Sequence, residues 1–124
     1  MILIGRRGER LNALKTNIMK AYPLIQVHVE ALSVTDLEKV GTLPHRLPPK
    51  LQNVDILVNN AGLALGITSV EANNVNDAKT VLDTNVLGLI AMCSAFVPQM
   101  KARGTGHIIN MGSVAGHHTY SLGE

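Results

Sequence analysis

Small, amide, hydroxyl and guanidinium groups follow four apolar segments of the chain, each at the point where the segment ends. These groups are Gly5-Arg6-Arg7, Ser33-Val34, Asn59-Asn60-Ala61-Gly62 and Gly112-Ser113-Val114-Ala115-Gly116. Small residues let a ligand approach the backbone closely, and guanidinium groups pair with phosphate oxygens. If the four segments are neighbouring strands, these groups are suited to binding a nucleotide.

Each of these residues also has a simpler explanation. Arg6 and Arg7 could be only a solvated helix start. Asn59–Gly62 could be only a turn, because Asn and Gly tolerate the left-handed backbone conformation. Ser113 could be a small loop residue. Asn85 lies within a predicted helix, where asparagine is a poor helix former, so an exposed position is its default explanation.

Other chemistries find little support in the sequence. His117 and His118 are adjacent, so their side chains diverge, and no third ligand stands at a fixed offset from them; we predict a loop rather than a metal site. The sequence contains no Gly-x-Gly-x-x-Gly motif and no P-loop. Ser113 is not in a Gly-x-Ser-x-Gly motif, so a hydrolase elbow is not indicated. Cys93 is interpreted as a small core residue.

The pattern of apolar residues predicts alternating strands and helices. Strands are predicted over Ile2–Ile4, Leu24–Leu32, Val54–Val58 and His107–Met111. Helices are predicted over Glu9–Ala21, Asp36–Val40 with Thr35 as its cap, and Asn76–Arg103, and the Pro-rich segment Thr42–Lys50 is predicted to be a connection. The strands are continuous apolar runs, which is typical of a parallel sheet covered on both faces. We therefore predict a Rossmann-like, doubly wound α/β fold, in which ligands bind at the carboxyl ends of the strands.

The predicted helix Asn76–Arg103 is apolar nearly all round in its second half. Such a helix is buried on more than one side, and the sheet can cover only one of them. We expect its other side to face a partner subunit or further parts of the same fold. Pro98 lies inside the pattern and predicts a kink or a break.

Composition narrows the classes of function. The chain has 124 residues, of which 46% are hydrophobic and 16% charged, which predicts one packed domain at most. The formal net charge of +2 and the three aromatic residues argue against nucleic acid as a partner. The single cysteine favours a reducing, cytoplasmic setting. The longest apolar stretch, Val86–Pro98, is shorter than the ~20 residues that span a bilayer, so no membrane partner is predicted.

The combination of motifs resembles the classical short-chain dehydrogenase/reductase family, and the similarity extends over essentially the whole chain. The segments that carry it are Ile4-Gly-Arg-Arg7, Asp55-Ile-Leu-Val-Asn-Asn-Ala-Gly62, Asp83-Thr-Asn-Val-Leu-Gly88 and Gly106-His-Ile-Ile-Asn-Met-Gly-Ser-Val-Ala-Gly116. Asn59-Asn-Ala-Gly-Leu-Ala-Leu-Gly66 further resembles the branch of NADP-dependent 3-hydroxy acid (serine-type) dehydrogenases. The resemblance implies an oxidoreductase that moves a hydride between NADP(H) and a hydroxyl or carbonyl group of a small substrate.

The resemblance also implies roles for cofactor-binding residues. Arg6 and Arg7 match the basic positions that hold the 2′-phosphate of NADP(H). Ser33 and Val34 match the pair beside the adenine, although the family usually has Asp in place of Ser33. Asn60, with Ala61 and Gly62, matches the loop beneath the cofactor ribose.

Two further residues match catalytic positions of the family. Ser113 matches the serine whose hydroxyl hydrogen-bonds the substrate carbonyl and stabilises charge on its oxygen. Asn85 matches the helix asparagine that organises a proton-relay water. The family's proton donor is a tyrosine in a Tyr-x-x-x-Lys motif. Tyr120 does not match it, because it stands only seven residues after Ser113 and Glu124 replaces the lysine.

The resemblance therefore implies that residues 1–124 match the middle of such an enzyme. The family's first strand and Gly-rich turn would precede Met1, and the tyrosine would lie just past Glu124. We expect the 124-residue chain alone to be inactive and the intact enzyme to be a homo-oligomer that packs through the 76–103 helix. The alternative is a non-catalytic protein or interaction module derived from a short-chain dehydrogenase.

Overall fold

Strands and α-helices alternate along the chain in the predicted order. The structure, a computed structural model, describes residues 1–66 and 68–117. The strands are β1 (Ile2–Gly5), β2 (His28–Ala31), β3 (Ile56–Asn59) and β4 (His107–Asn110). The α-helices are α1 (Gly8–Ala21), α2 (Leu37–Arg46), α3 (Val75–Leu82) and α4 (Leu89–Arg103). His118 and Tyr120, which were considered above as a metal ligand and as the proton donor, lie outside the described residues.

The strands form two parallel pairs rather than one continuous sheet. β1 pairs with β2, with Ile2 opposite His28 and Gly5 opposite Ala31. β3 pairs with β4, with Ile56 opposite His107 and Asn59 opposite Asn110. In the part of the chain that the structure describes, β1 and β3 have no strand partner on their second edge.

Helices cover both faces of the β1–β2 pair. On one face, the α1 side chain of Leu11 lies 3.6 Å from the position where a Cβ on Gly5 would stand. On the other face, Ile2 and Ile4 pack against the main hydrophobic core. The doubly wound arrangement that the sequence predicts is therefore present around β1 and β2.

The main core lies between α2, α4 and the strands. Its fully or nearly fully buried side chains are Leu32, Val40, Leu43, Leu47, Leu57, Met92, Phe96 and Met100. Leu57 and Asn59 of β3 are buried on this side, whereas Ile56 and Val58 point to the opposite face and are exposed. The β3–β4 pair is therefore covered on one face only within the described residues.

Two of the predicted element boundaries are wrong by four residues or more. The second predicted strand was expected from Leu24, but β2 begins at His28 and Leu24 is exposed. The second helix was expected to end at Val40, with residues 42–50 as a connection; α2 instead continues through Pro44 to Arg46. Burial of Val40, Leu43 and Leu47 in the core stabilises this extension and offsets the cost of the helical proline.

The start of α2 also differs from the prediction. Its N-cap is Asp36 and not Thr35. The Asp36 carboxylate accepts a hydrogen bond from the backbone N–H of Lys39 at 3.2 Å. This bond satisfies one of the backbone N–H groups that the first turn of a helix leaves without a partner.

The predicted long helix is present, but its irregular segment precedes α4 and does not lie at Pro98. α3 and α4 are joined by a π-helical segment, Asp83–Gly88, so the helix is continuous from Val75 to Arg103. The helix runs through Pro98 without a break, contrary to one of the two outcomes predicted there. It ends at Gly104, whose φ of 68° is the left-handed conformation that favours glycine at a helix C-terminus.

The long helix is less buried than its composition suggests. Met92, Phe96 and Met100, at four-residue spacing, face the core, whereas Val86, Leu87 and Ile90 are exposed. By length and composition alone this 29-residue helix could cross a bilayer, with a mean hydropathy of 1.6 over its most apolar window. The shortness of the apolar stretch Val86–Pro98 therefore does not exclude a membrane partner. The absence of such a partner stays a prediction. α4 packs on α2 and β3, and the core helix of a soluble protein passes the same test of length and composition, but only 17% of the most apolar window is buried here.

Candidate functional site

A cavity of about 1060 Å³ runs between the two strand pairs and opens at their carboxyl ends. Its lining there comes from the loops after three strands: Arg6 after β1, Ser33 and Val34 after β2, and Asn60, Ala61 and Gly62 after β3. The fold thus brings together six of the nine predicted site residues. Arg7, Asn85 and Ser113 are not on the wall of this cavity.

Arg6 and Arg7 form the turn between β1 and α1. Both are exposed, and neither guanidinium makes a salt bridge to any other residue that the structure describes. The carbonyl of Arg7 accepts the N–H of Leu11 at 3.1 Å, which starts the helix. Arg6 is therefore the cation at the cavity mouth, and Arg7 lies next to it as the N-cap of α1.

The loop after β2 is shaped by its own hydroxyl groups. Ser33 Oγ lies 2.8 Å from Thr35 Oγ1 and accepts a weak hydrogen bond from the N–H of Thr35. Val34, between them, packs against the π-helical segment, where a Cβ on Gly88 would stand 2.6 Å from Val34 Cγ2. Only glycine allows this approach. The sequence placed Gly88 in a motif without revealing this contact.

Asn85 is not an exposed helix residue, so the simpler explanation of it is wrong. Its Oδ1 accepts the backbone N–H of Leu63 at 3.0 Å, and its Nδ2 donates to the carbonyl of Leu63 at 2.8 Å. The residue lies in the π-helical segment, and π-bulges are frequent at functional sites. The half-buried side chain thus fixes the loop that begins at Asn60. Oδ1 keeps a second lone pair and Nδ2 a second hydrogen for a further partner.

Two asparagines, Asn59 and Asn110, join the ends of β3 and β4. The sequence analysis did not predict this pair. Asn59 Nδ2 donates to Asn110 Oδ1 at 2.9 Å and lies 3.4 Å from Cys93 Sγ. The backbone N–H of Met111 donates to the carbonyl of Asn59 at 3.0 Å. Asn59 is buried, so these bonds satisfy a polar group that would otherwise be costly. The equal strand-end positions of the two asparagines were the available signal in the sequence.

Ser113 lies three residues beyond the end of β4 and is exposed. Its Oγ accepts the N–H of Ala115 at 3.1 Å and caps the 3₁₀ turn Val114–Gly116. Because the hydroxyl is an acceptor in this bond, its hydrogen stays available as a donor. Since Asn59 and Asn110 are opposite each other, the Ser113 loop and the Asn60–Gly62 loop leave the sheet side by side.

The residues present fit a nucleotide carrying an extra phosphate better than they fit a metal ion. No cluster of three or more His, Cys, Asp or Glu side chains exists among residues 1–66 and 68–117. Arg6 supplies a cation at the mouth of the cavity, and no carboxylate directly follows β1 or β2 to bind a free ribose hydroxyl. Small residues at Ala61 and Gly62 leave the backbone accessible along the cavity wall.

The chain belongs to the short chain dehydrogenase family, whose pattern matches residues 1–123. This confirms the resemblance and the Rossmann-like α/β fold class. The chain is 42% identical over all 124 residues to the NADP-dependent 3-hydroxy acid dehydrogenase of Salmonella typhi, of which it covers 48%. It therefore spans about half the length of the curated relatives it matches.

Solved structures agree with this assignment. Serine dehydrogenase from Escherichia coli is 41% identical, with a TM-score of 0.87 over 98% of this chain and 54% of that one. The closed form of a serine dehydrogenase complexed with NADP⁺ is 40% identical, with a TM-score of 0.86 over 98% of this chain and 47% of that one. Levodione reductase, at 21% identity and a TM-score of 0.92, shares the fold.

Proposed function

We propose that residues 1–124 form the part of an NADP(H)-dependent oxidoreductase that runs from the 2′-phosphate site to the catalytic serine. The observation that carries the proposal is the grouping of Arg6, Ser33, Val34 and Asn60–Gly62 around one cavity at the carboxyl ends of the strands. The NADP dependence of relatives that are about 40% identical supports it.

The chain's own residues would divide the work of binding. Arg6 and Arg7 pair with the 2′-phosphate, because guanidinium groups bind phosphate through charge-assisted hydrogen bonds. Ser33 and Val34 lie against the adenine. Asn60, Ala61 and Gly62 support the ribose, held in place by the Asn85–Leu63 hydrogen bonds.

Ser113 and Asn85 are the proposed catalytic residues. The Ser113 hydroxyl donates a hydrogen bond to the oxygen of the substrate carbonyl, where negative charge grows as the bond is reduced. Asn85 holds the proton-relay water with the hydrogen-bonding capacity that Leu63 leaves unused. When bound, the nicotinamide supplies or accepts the hydride. The substrate class we propose is a small 3-hydroxy acid or the corresponding carbonyl compound.

The cofactor assignment is tested with the 124-residue chain itself. Titration by NMR with adenosine 2′,5′-bisphosphate and with ADP should show tighter binding of the 2′-phosphorylated ligand, by about tenfold or more for one charge-assisted contact pair. Replacing Arg6 and Arg7 together by Ala should remove that preference, whereas Arg10→Ala, an exposed arginine further along α1, should keep it. Equal binding of the two ligands by the unaltered chain would overturn the NADP assignment.

The catalytic assignment needs the flanking segments that the relatives possess. We would insert residues 1–124 in place of the matching half of the Salmonella enzyme and follow NADPH formation with short 3-hydroxy acids. Ser113→Ala should abolish most turnover with little change in NADPH affinity, and Ser94→Ala, an exposed serine on α4, should not. A folded chimera without turnover would instead favour the non-catalytic alternative.

We further propose that the intact protein is a cytoplasmic homo-oligomer that associates through the 76–103 helix. The exposed apolar side chains of Val86, Leu87 and Ile90 on this helix support the proposal. Ile90→Glu in the same chimera should lower the mass found by sedimentation equilibrium, because a buried carboxylate would lack a partner at the interface. An unchanged mass would remove this helix from the interface.

A further inference from the structure

Val34 contacts two parts of the molecule at once. It lines the cavity beside Ser33, in the loop that follows β2. It also packs against the π-helical segment, where a Cβ on Gly88 would stand 2.6 Å from Val34 Cγ2 and 3.1 Å from Val34 Cβ. Gly88 itself is buried and does not line the cavity. The Val34 side chain therefore connects the wall of the cavity with a backbone position behind that wall.

Asn85 belongs to the same π-helical segment as Gly88. Its Oδ1 accepts the N–H of Leu63 at 3.0 Å, and its Nδ2 donates to the carbonyl of Leu63 at 2.8 Å. The Asn85 Oδ1 atom also lies 3.6 Å from the position of a Cβ on Gly62. Because Gly62 and Leu63 line the cavity after β3, the segment contacts the loop after β2 through one residue and the loop after β3 through another.

The π-helical segment is supported unequally at its two ends. On its carboxyl side, α4 is anchored in the core by Met92 and Phe96. On its amino side, α3 contains no buried residue. Asn85 lies on the amino side of Gly88, away from the anchored helix. Its position therefore depends on lateral contacts of the segment, such as the contact between Gly88 and Val34.

Valine is suited to carry a displacement from one loop to the other. The two methyl groups on its Cβ restrict rotation about χ1, so Cγ2 does not leave Gly88 by a low-cost rotation. The carbonyl of Val34 lies 3.3 Å from the position of a Cβ on Gly88, which shows that the two backbones also approach closely. A ligand that holds the loop after β2 in place therefore also holds Gly88.

We propose that Val34 is a positioning residue that links the adenosine end of the cofactor to Asn85. When the adenine lies against Ser33 and Val34, the Val34 side chain fixes Gly88. The π-helical segment then holds Asn85 where it bonds Leu63. Occupation of the adenosine end thus orders the loop after β3 even when the rest of the site is empty. This proposal rests on the proposed function, because it takes the loop after β2 to bind the adenine.

The test uses the 124-residue chain and adenosine 2′,5′-bisphosphate, which carries the adenine and the 2′-phosphate but no nicotinamide. Hydrogen exchange at the Leu63 amide is followed by NMR with the ligand at saturation. Exchange should slow at least about fivefold, because the ligand favours the arrangement in which Asn85 bonds Leu63. In Val34→Ala, which removes the methyl group that meets Gly88, saturating ligand should have little effect on Leu63.

Val75→Ala is the matched control for this experiment. Val75 is 81% exposed at the start of α3, so this variant should keep the protection of Leu63 by the ligand. Equal protection in the unaltered chain and in Val34→Ala would mean that the ligand acts on Leu63 without Val34, and would overturn the proposal. Binding with no change at Leu63 would overturn this proposal alone, whereas a lack of binding would overturn the proposed function as well.

A double-mutant cycle at Gly88 provides a second measurement. Gly88→Ala places its Cβ against Val34 and should weaken binding of adenosine 2′,5′-bisphosphate at least about fivefold, although Gly88 is not on the cavity wall. In the Val34→Ala background, Gly88→Ala should weaken binding little further. Gly41→Ala, where a Cβ meets nothing within 4 Å, should leave binding unchanged. An equal loss of affinity in both backgrounds would show that Gly88 does not act through Val34 and would overturn the proposal.

Discussion

The two strand pairs of this molecule have similar apolar sequences, but their faces are covered to different extents. β1 and β2 are covered by α1 on one face and by the core on the other. Among residues 1–66 and 68–117, β3 and β4 are covered by α4 on one face only, and Val58 on the other face is 52% exposed. The first pair carries the proposed phosphate and adenine loops, and the second carries the proposed ribose loop and serine. The site therefore depends on contacts that hold two unequally supported halves together.

The largest expected effect comes from the core that joins the halves. Phe96 on α4 is 2% exposed and belongs to the cluster that links α2 with β3. Phe96→Ala should lower the free energy of unfolding by about 3–5 kcal/mol, because it removes buried apolar surface and leaves a cavity. Urea unfolding followed by circular dichroism measures this loss.

Ile90→Ala is the matched control on the same helix. Ile90 is 52% exposed, so its truncation should change stability by no more than about 0.5 kcal/mol. A loss for Ile90→Ala as large as that for Phe96→Ala would mean that the open face of the helix is already covered in solution.

A smaller effect is expected at the contact between the β2 loop and the π-helical segment. Gly88→Ala places a Cβ 2.6 Å from Val34 Cγ2 and 3.3 Å from the carbonyl of Val34. The resulting displacement should cost about 1–3 kcal/mol. Gly41→Ala is the control, because a Cβ there meets nothing within 4 Å and alanine favours the helix by about 0.5–1 kcal/mol.

A double-mutant cycle sharpens this prediction. Val34→Ala removes the methyl group that meets the new Cβ, so the pair Gly88→Ala and Val34→Ala should lose less stability than the sum of the single losses. Strict additivity would show that the two halves are not coupled at this contact.

The regular parts of the fold could be predicted from sequence because their signals are local. The order of strands and helices follows from apolar runs and helical spacing, and the helix from residue 75 to 103 was placed to within a residue at each end. The extension of α2 through Pro44 could not be predicted, since it depends on core contacts made by Val40, Leu43 and Leu47.

The residues of the site could be predicted from the sequence, but the hydrogen bonds and close contacts between them could not. Strand-end positions identified Arg6, Ser33, Val34 and Asn60–Gly62, because parallel strands bring their carboxyl ends to one edge. The bonds between Asn85 and Leu63 depend on the π-helical segment, which has no signal of its own in the sequence. The same holds for the close approach of Gly88 to Val34.

The loop that follows β3 is expected to become less protected when its hydrogen bonds to Asn85 are removed. Asn85→Ala removes both hydrogen bonds to Leu63, and the loss should be about 1 kcal/mol, since water can reach a half-buried loop and replace part of them. Hydrogen exchange at the Leu63 amide should become faster, while exchange in β1 stays unchanged. Asn76→Ala, at an exposed position near the start of α3, should leave the Leu63 amide protected. Equal protection of Leu63 in both variants would contradict the role given to Asn85.

The smallest expected effect is a pH dependence of the stability that the Asp36 cap gives to α2. Hydrogen bonds from the Lys39 side chain and backbone hold the pKa of Asp36 below its usual value of 3.8. A lowered pKa means that the stabilisation is fully present above about 3.8 and is lost as the pH falls through the folded-state pKa. Asp36→Asn keeps the cap but cannot titrate, so its urea midpoint should fall less than that of the unaltered chain between pH 5 and pH 2. Because the pair with Lys39 is exposed, ~1 M salt should shrink the difference. Identical pH profiles for the two proteins at low salt would show that the cap of α2 gains nothing from the charge of Asp36.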